Sequence, residues 1–173
     1  SRITDYTDRA TAPLFGDGSG AVVLESVADG GQLLGWDLDA DGSALGILQA
    51  EVGGYIEMEG KEVFRRAVRL MVDSAEKSMK HAGVSRDDIK LIVPHQANIR
   101  IIQAACDRLG IPIERASVVI EHTGNTSSAT IPLALADALD RGRVEHGDLL
   151  LLVGFGGGMT AASCVLRWGG GAA

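Results

Sequence analysis

The sequence predicts an α/β domain of three layers, and three observations lead there. Short β-branched or leucine-rich segments alternate along the chain with segments of helical periodicity, the order from which sheets with parallel pairs are built. The run Leu149-Leu150-Leu151-Leu152-Val153 is apolar at every position, as a strand covered on both faces must be. Finally, 173 residues of which 46% are apolar and 23% charged are enough for one hydrophobic core and too few for two comfortable ones. We place the domain at residues 1–168 and read 169–173, Gly-Gly-Gly-Ala-Ala, as a frayed tail.

Taken in order, Phe15-Gly16-Asp17-Gly18-Ser19-Gly20 is a turn-rich lead into residues 21–27, which read as a strand. A second strand is expected at 32–38, joined to the first by a hairpin around Asp29-Gly30-Gly31. Between 39 and 59 glycine, aspartate and serine interrupt every period, so a long loop is expected there, and such loops commonly carry function. Phe64, Val68, Met71, Ala75 and Met79 recur at helical spacing and predict a helix over 61–81, ended by Gly83. A strand at 91–93, a helix at 98–109 stopped by Gly110 and Pro112, a strand at 117–120 and a helix at 126–139 follow. Pro132 then falls in the first turns of the last helix, where its missing N–H is tolerated. Strands at 148–154 and 160–168 close the chain about a glycine-rich turn.

Composition excludes several functions. A formal charge of −7 and a pI near 5.0 leave no basic footprint for nucleic acid. No apolar run approaches the roughly 20 residues that a membrane helix needs. Cys106 and Cys164 are too few for a disulfide scaffold and lack metal-ligand spacing, so a reducing, cytoplasmic setting and no metal are expected. The chain begins without Met and without a secretory leader, and we expect it to be part of a longer protein.

Three segments follow predicted strands, where strand ends create crevices. They are Pro94-His95-Gln96-Ala97-Asn98, His122-Thr123-Gly124-Asn125-Thr126-Ser127-Ser128 and Gly154-Phe155-Gly156-Gly157-Gly158-Met159. A neutral imidazole Nε2–H and an asparagine N–H can both donate to one thioester carbonyl oxygen. Such donors stabilise that oxygen most when it turns negative as an enolate forms, and a backbone N–H of the glycine turn can serve a second oxyanion. Each segment also has a plain reading: a structural histidine, a Gly-Asn turn and a tight hairpin. By pattern alone no reaction is selected.

Resemblance selects one. Val93-Pro94-His95-Gln96-Ala97-Asn98-Ile99-Arg100-Ile101-Ile102, Gly124-Asn125-Thr126-Ser127-Ser128-Ala129 and Phe155-Gly156-Gly157-Gly158 resemble the synthase III branch of the thiolase-like condensing enzymes. Phe15 to Ala21 and the Gly60-Lys61-Glu62-Val63-Phe64 helix start match in the same order. The resemblance implies the C-terminal half of a thiolase-like fold, three-layer αβα with a mixed five-stranded sheet. It implies that His95 and Asn125 polarise a malonyl thioester during decarboxylation, that Gly157 supplies the oxyanion-hole N–H, and that Gly60, Asn98 and Phe155 line the substrate tunnel. It places Arg65, Gln96 and Arg100 where an acidic acyl-carrier protein docks.

The reaction so implied condenses a short acyl-CoA with malonyl-acyl-carrier protein to begin fatty-acid synthesis, by a homodimer, with no cofactor beyond these substrates. The nucleophilic cysteine belongs to the family's first half, and that half is absent here; Cys106 and Cys164 read as small core residues. This chain alone is therefore expected to be inactive. Related alternatives are a condensing enzyme that makes a polyketide or quinolone starter and a non-catalytic domain that binds pantetheine or carrier protein. Lys61, Arg65 and Arg69 lie four apart on one helix face. Asp73 follows Arg69 by four, whereas Lys61 and Arg65 have less obvious compensation, which suits an anionic docking partner.

Overall fold

The computed structural model describes residues 2–26 and 32–169. Six strands and four α-helices are found among them: β1 (Gln32–Ala40), β2 (Leu48–Ala50), β3 (Ile56–Met58), α1 (Gly60–Ala82), β4 (Leu91–Pro94), α2 (Ile99–Leu109), α3 (Ile120–Thr123), α4 (Thr130–Asp140), β5 (Leu149–Gly156) and β6 (Thr160–Arg167). The main sheet has the order β1-β6-β5-β4, with β4 parallel to β5 and the other pairs antiparallel.

Alternation along β4 and β5 divides the core in two. Ile92, Leu151 and Val153 face α1 and α2, where Met71, Ala75, Ile102 and Cys106 complete one apolar layer. Leu91, Val93 and Leu150 face α4 and pack with Ala134, Leu135 and Ala138. Leu150 on one face of β5 and Leu151 and Val153 on the other are thus removed from water, each fully buried leucine contributing about 1.5–3 kcal/mol of hydrophobic stabilisation. This is the three-layer arrangement expected of an all-apolar strand.

The helix ends follow local chemistry. At the end of α1, Gly83 adopts φ 68° and donates its N–H to Met79 O and Lys80 O, a left-handed conformation that a side chain would oppose. Asn98 caps α2 by accepting the Arg100 N–H at 2.8 Å, worth about 1 kcal/mol. The last helix is preceded by a 3₁₀ turn over Ser127–Ala129, and Pro132 is the third residue of α4, in the first turn as anticipated.

Several expectations are corrected. Among the described residues the main sheet has four strands rather than five. Residues 117–120 do not form a strand: a single parallel bridge, Ile92 to Ala116, begins the pairing and α3 follows. The next ladder bond would require an N–H on Pro94, which proline lacks. The buried Gln96 side chain fills the gap, its Nε2 donating to Pro94 O at 2.7 Å and Ser117 O at 3.0 Å while its Oε1 accepts from Val119 N at 3.0 Å. Residues 21–26 are not a strand either; Val22, Val23 and Leu24 are 66%, 88% and 90% exposed, and a strand exists only through a neighbour's hydrogen bonds. The hairpin around residues 29–31 lies outside the described residues.

The expected loop at 39–59 instead contains a 3₁₀ turn, Gly42–Ile47, and the antiparallel pair β2–β3. Phe64 shares the periodic face of α1 with the buried Val68 yet is 38% exposed. No helix of the described residues is long and apolar enough to cross a membrane.

Candidate functional site

Three chain segments meet at the carboxyl ends of β4 and β5. His95 follows β4 directly and donates its backbone N–H to Val153 O at 2.8 Å, which continues the β4–β5 pairing by one residue and fixes where the imidazole starts. Asn125 lies on the strap between α3 and α4. That strap is clamped by the N-terminal segment: Asn125 N–H donates to Leu14 O and Gly16 N–H to Asn125 O, both at 2.9 Å, forming a parallel bridge between Phe15 and Asn125. The third segment is the end of β5 and its turn, Phe155 to Gly157.

These segments border a cavity of about 740 Å³. His95, Asn125, Phe155, Gly157, Gly60 and Asn98 all line it, so six of the residues singled out in the sequence come together. A Cβ added at Gly60 would meet nothing within 4 Å, consistent with a helix start that faces open space. Leu48, Ala50, Ile56 and Met58 of β2–β3 add an apolar wall, with Phe64 beside them. That wall, and the exposure of Phe64, were not legible as site features in the sequence.

The imidazole is held on two sides. Its ring makes an edge contact with Phe155, with centroids 5.3 Å apart and planes at 73°. Its Nδ1 lies 2.6 Å from Thr130 Oγ1. Burial pushes the imidazole pKa down to about 4, since a low-dielectric site disfavours the cation; the ring is neutral at pH 7. Asn125 Oδ1 accepts the Ser127 N–H at 2.9 Å, which leaves the amide NH₂ as the group Asn125 can offer the cavity. Ser127 reaches that position with φ 55°, a conformation costing on the order of 1 kcal/mol in a non-glycine residue. Thr130 was missed in the sequence. A hydroxyl three residues beyond Ser127, at the start of a helix, is the only local signal, and it does not name His95, 35 residues away.

The remaining expected residues fall elsewhere. Arg65 and Arg100 are exposed and are not among the residues lining the cavity. Arg65 is less isolated than the sequence suggested, because it donates to Glu62 at 2.7 Å, and Arg66 donates to the same carboxylate at 2.8 Å. Hydrogen bonds from Arg65 and Arg66 hold the Glu62 carboxyl at about 2. Gln96 does not reach a docking surface: it is fully buried, and its amide is spent between β4 and residues 117–119. Cys106 is buried in the core, where burial pushes its thiol up to about 11, and burial raises Cys164 as well. Neither has the depressed pKa of an activated nucleophile. Among the described residues no group of three or more His, Cys, Asp or Glu side chains is placed to hold a metal.

Residues 79–168 match the family described as 3-oxoacyl-[acyl-carrier-protein (ACP)] synthase III C terminal, and residues 1–42 match 3-oxoacyl-[acyl-carrier-protein (ACP)] synthase III. The chain is 50% identical over 170 residues to a β-ketoacyl-acyl-carrier-protein synthase III of Halalkalibacterium halodurans, covering 98% of this chain and 54% of that protein. The crystal structure of the synthase III from Thermus thermophilus is similar with a TM-score of 0.93 and 47% identity, over 98% of this chain and 56% of that one. The synthase III of Aquifex aeolicus gives a TM-score of 0.93 at 43% identity, over 96% and 54% of the two chains. The fold is thiolase-like, and the chain spans about half the length of the relatives it matches.

Proposed function

Because the chain belongs to the 3-oxoacyl-acyl-carrier-protein synthase III family, we propose that it is the half of such an acyltransferase that activates a malonyl thioester for decarboxylative condensation. The observation that carries this reading is the convergence of His95 and Asn125 on one largely apolar cavity, with the imidazole neutral and the asparagine oxygen already engaged. Two N–H donors then face a single thioester carbonyl oxygen. As the bond to the carboxylate breaks and CO₂ leaves, the electron pair becomes an enolate whose oxygen these donors stabilise. The enolate carbon attacks the acyl thioester carbon, a C–C bond forms, and the thiolate of the nucleophile departs. The tetrahedral oxyanion of that step lies with Gly157 N–H. Gly60, Asn98 and Phe155 border the path for the pantetheine arm.

The nucleophile that carries the acyl group comes from the other half of the enzyme, which contributes a cysteine by resemblance. We read the complete protein as a cytoplasmic homodimer acting on acyl-CoA and malonyl-acyl-carrier protein, without a further cofactor. The free thiols fit a reducing compartment, and the dimer rests on resemblance. The test separates the halves. The complete enzyme given acyl-CoA and malonyl-acyl-carrier protein releases CO₂ and forms 3-oxoacyl-carrier protein. The 173-residue chain given radiolabelled acetyl-CoA takes no label on Cys106 or Cys164, and stoichiometric acylation of either would overturn the assignment.

Arg65 and Arg100 supply the carrier-protein surface in this reading, since exposed positive charge raises encounter with an acidic partner. Arg65→Glu or Arg100→Glu in the complete enzyme weakens use of malonyl-acyl-carrier protein at low ionic strength and leaves acylation by acyl-CoA nearly intact. The difference narrows as salt shortens the screening length to about 8–10 Å. Slower acylation in Arg100→Glu, equal to or beyond the carrier-protein defect, would instead assign Arg100 to the CoA phosphates.

A further inference from the structure

Thr130 is fully buried at the first position of α4, and its hydroxyl has two neighbours: His95 Nδ1 at 2.6 Å and Ser127 O at 2.9 Å. A hydroxyl carries one proton, and a carbonyl only accepts. If the proton points to Ser127 O, Oγ1 must accept from Nδ1–H, and His95 presents a bare Nε2 to the cavity. If the hydroxyl turns to Nδ1, that nitrogen accepts and Nε2 carries the proton. Ser127 O is not orphaned by the turn, because the Thr130 backbone N–H also donates to it. Each state therefore leaves the buried Nδ1 paired.

The two states differ in a way that substrate can read. Without a ligand, the first makes one more hydrogen bond, since Oγ1–H and Nδ1–H are both used. With a thioester carbonyl at the site, the second gains the Nε2–H bond that the first cannot make. The balance then shifts toward the donor tautomer by the differential affinity of the two states for that carbonyl. We infer that the Thr130 hydroxyl is a positioning group that turns from Ser127 O to His95 Nδ1 when a malonyl thioester binds, so that His95 becomes an Nε2–H donor only when its acceptor is present. The proton count is unchanged: Nδ1 loses one proton to solvent and Nε2 takes one from solvent. The low imidazole pKa agrees with a neutral ring throughout. This inference rests on the donor role proposed for His95.

The test is the ¹⁵N spectrum of His95 in the complete enzyme labelled with ¹⁵N-histidine, free and saturated with sulfoacetyl-CoA, which keeps the thioester carbonyl but cannot lose CO₂. The free enzyme is expected to be mainly Nδ1–H and the complex mainly Nε2–H. A ring that keeps one tautomer in both spectra overturns the inference, and that reading needs no variant. Thr130→Val removes the hydroxyl at nearly constant volume; it is expected to lose the switch and to lower kcat for decarboxylation about tenfold, the scale of one buried hydrogen bond, with KM little changed. Thr130→Ser restores both. A valine variant that folds and keeps the parental switch and kcat overturns the inference, as does a serine variant that behaves like valine. If His95→Ala leaves decarboxylation intact, the donor role itself fails. If His95→Ala abolishes decarboxylation while the tautomer never moves, only the Thr130 inference fails.

Discussion

His95→Ala and Asn125→Ala, each made in the complete enzyme, are expected to lower decarboxylation of the malonyl thioester by about 10²- to 10³-fold, the usual cost of removing one preorganised oxyanion donor, if the two act as proposed. Acylation of the nucleophile by acyl-CoA is expected to change far less, because in the proposed role the two donors serve the carbonyl that becomes an enolate. The neutral state of His95 is essential to this role and follows from its burial beside Phe155. The two half-reactions are measured separately, CO₂ release from the malonyl substrate and label transfer from acyl-CoA. Small and equal losses in both would mean that His95 and Asn125 only hold their loops in place.

Gly16→Ala, a single methyl outside the cavity lining, is expected to act nearly as strongly. A Cβ at Gly16 would fall against the backbone carbonyl oxygen of Thr123, which has no flexible end to move aside. The strap or the N-terminal segment must give way, and between them they hold Asn125 through Leu14 O and Gly16 N–H. A displacement of about 1 Å in a reacting group can cost about 10²-fold in rate. Gly16→Ala is therefore expected to reduce decarboxylation by about that factor and to lower Tm, again with acylation less affected. Parental decarboxylation and Tm would show that the clamp on Asn125 yields without consequence.

The N-terminal clamp also explains part of what was hidden in the sequence. Phe15 to Gly20 reads as a turn-rich lead into a strand, and nothing local reveals that its partner is the Asn125 strap, 110 residues away by the Phe15–Asn125 bridge. The strap itself was recognised by its residues, and the three segments that carry His95, Asn125 and Gly157 were expected at strand ends; His95 and Gly157 do follow β4 and β5, whereas Asn125 follows the helix α3. Which hydroxyl would meet the imidazole was not expected, because Thr130 reaches His95 only after α4 has packed on β4.

What the sequence by itself determined is whatever short-range chemistry controls. The α1 helix was expected over 61–81 and spans Gly60–Ala82, because its apolar period and its glycine cap are written within the segment. The α2 helix likewise runs from the Asn98 cap to Leu109, and the all-apolar β5 is the strand its composition announces. Tertiary structure alone decided the membership of the sheet. Residues 21–26 and 117–120 carry strand-like composition, yet a strand is a property of two segments, and its hydrogen bonds depend on what lies alongside. Beside β4, Pro94 has no N–H to continue the ladder, and the Gln96 amide takes its place. The same non-local bonding that ended the fifth strand also turned a residue expected at a docking surface into a buried clasp.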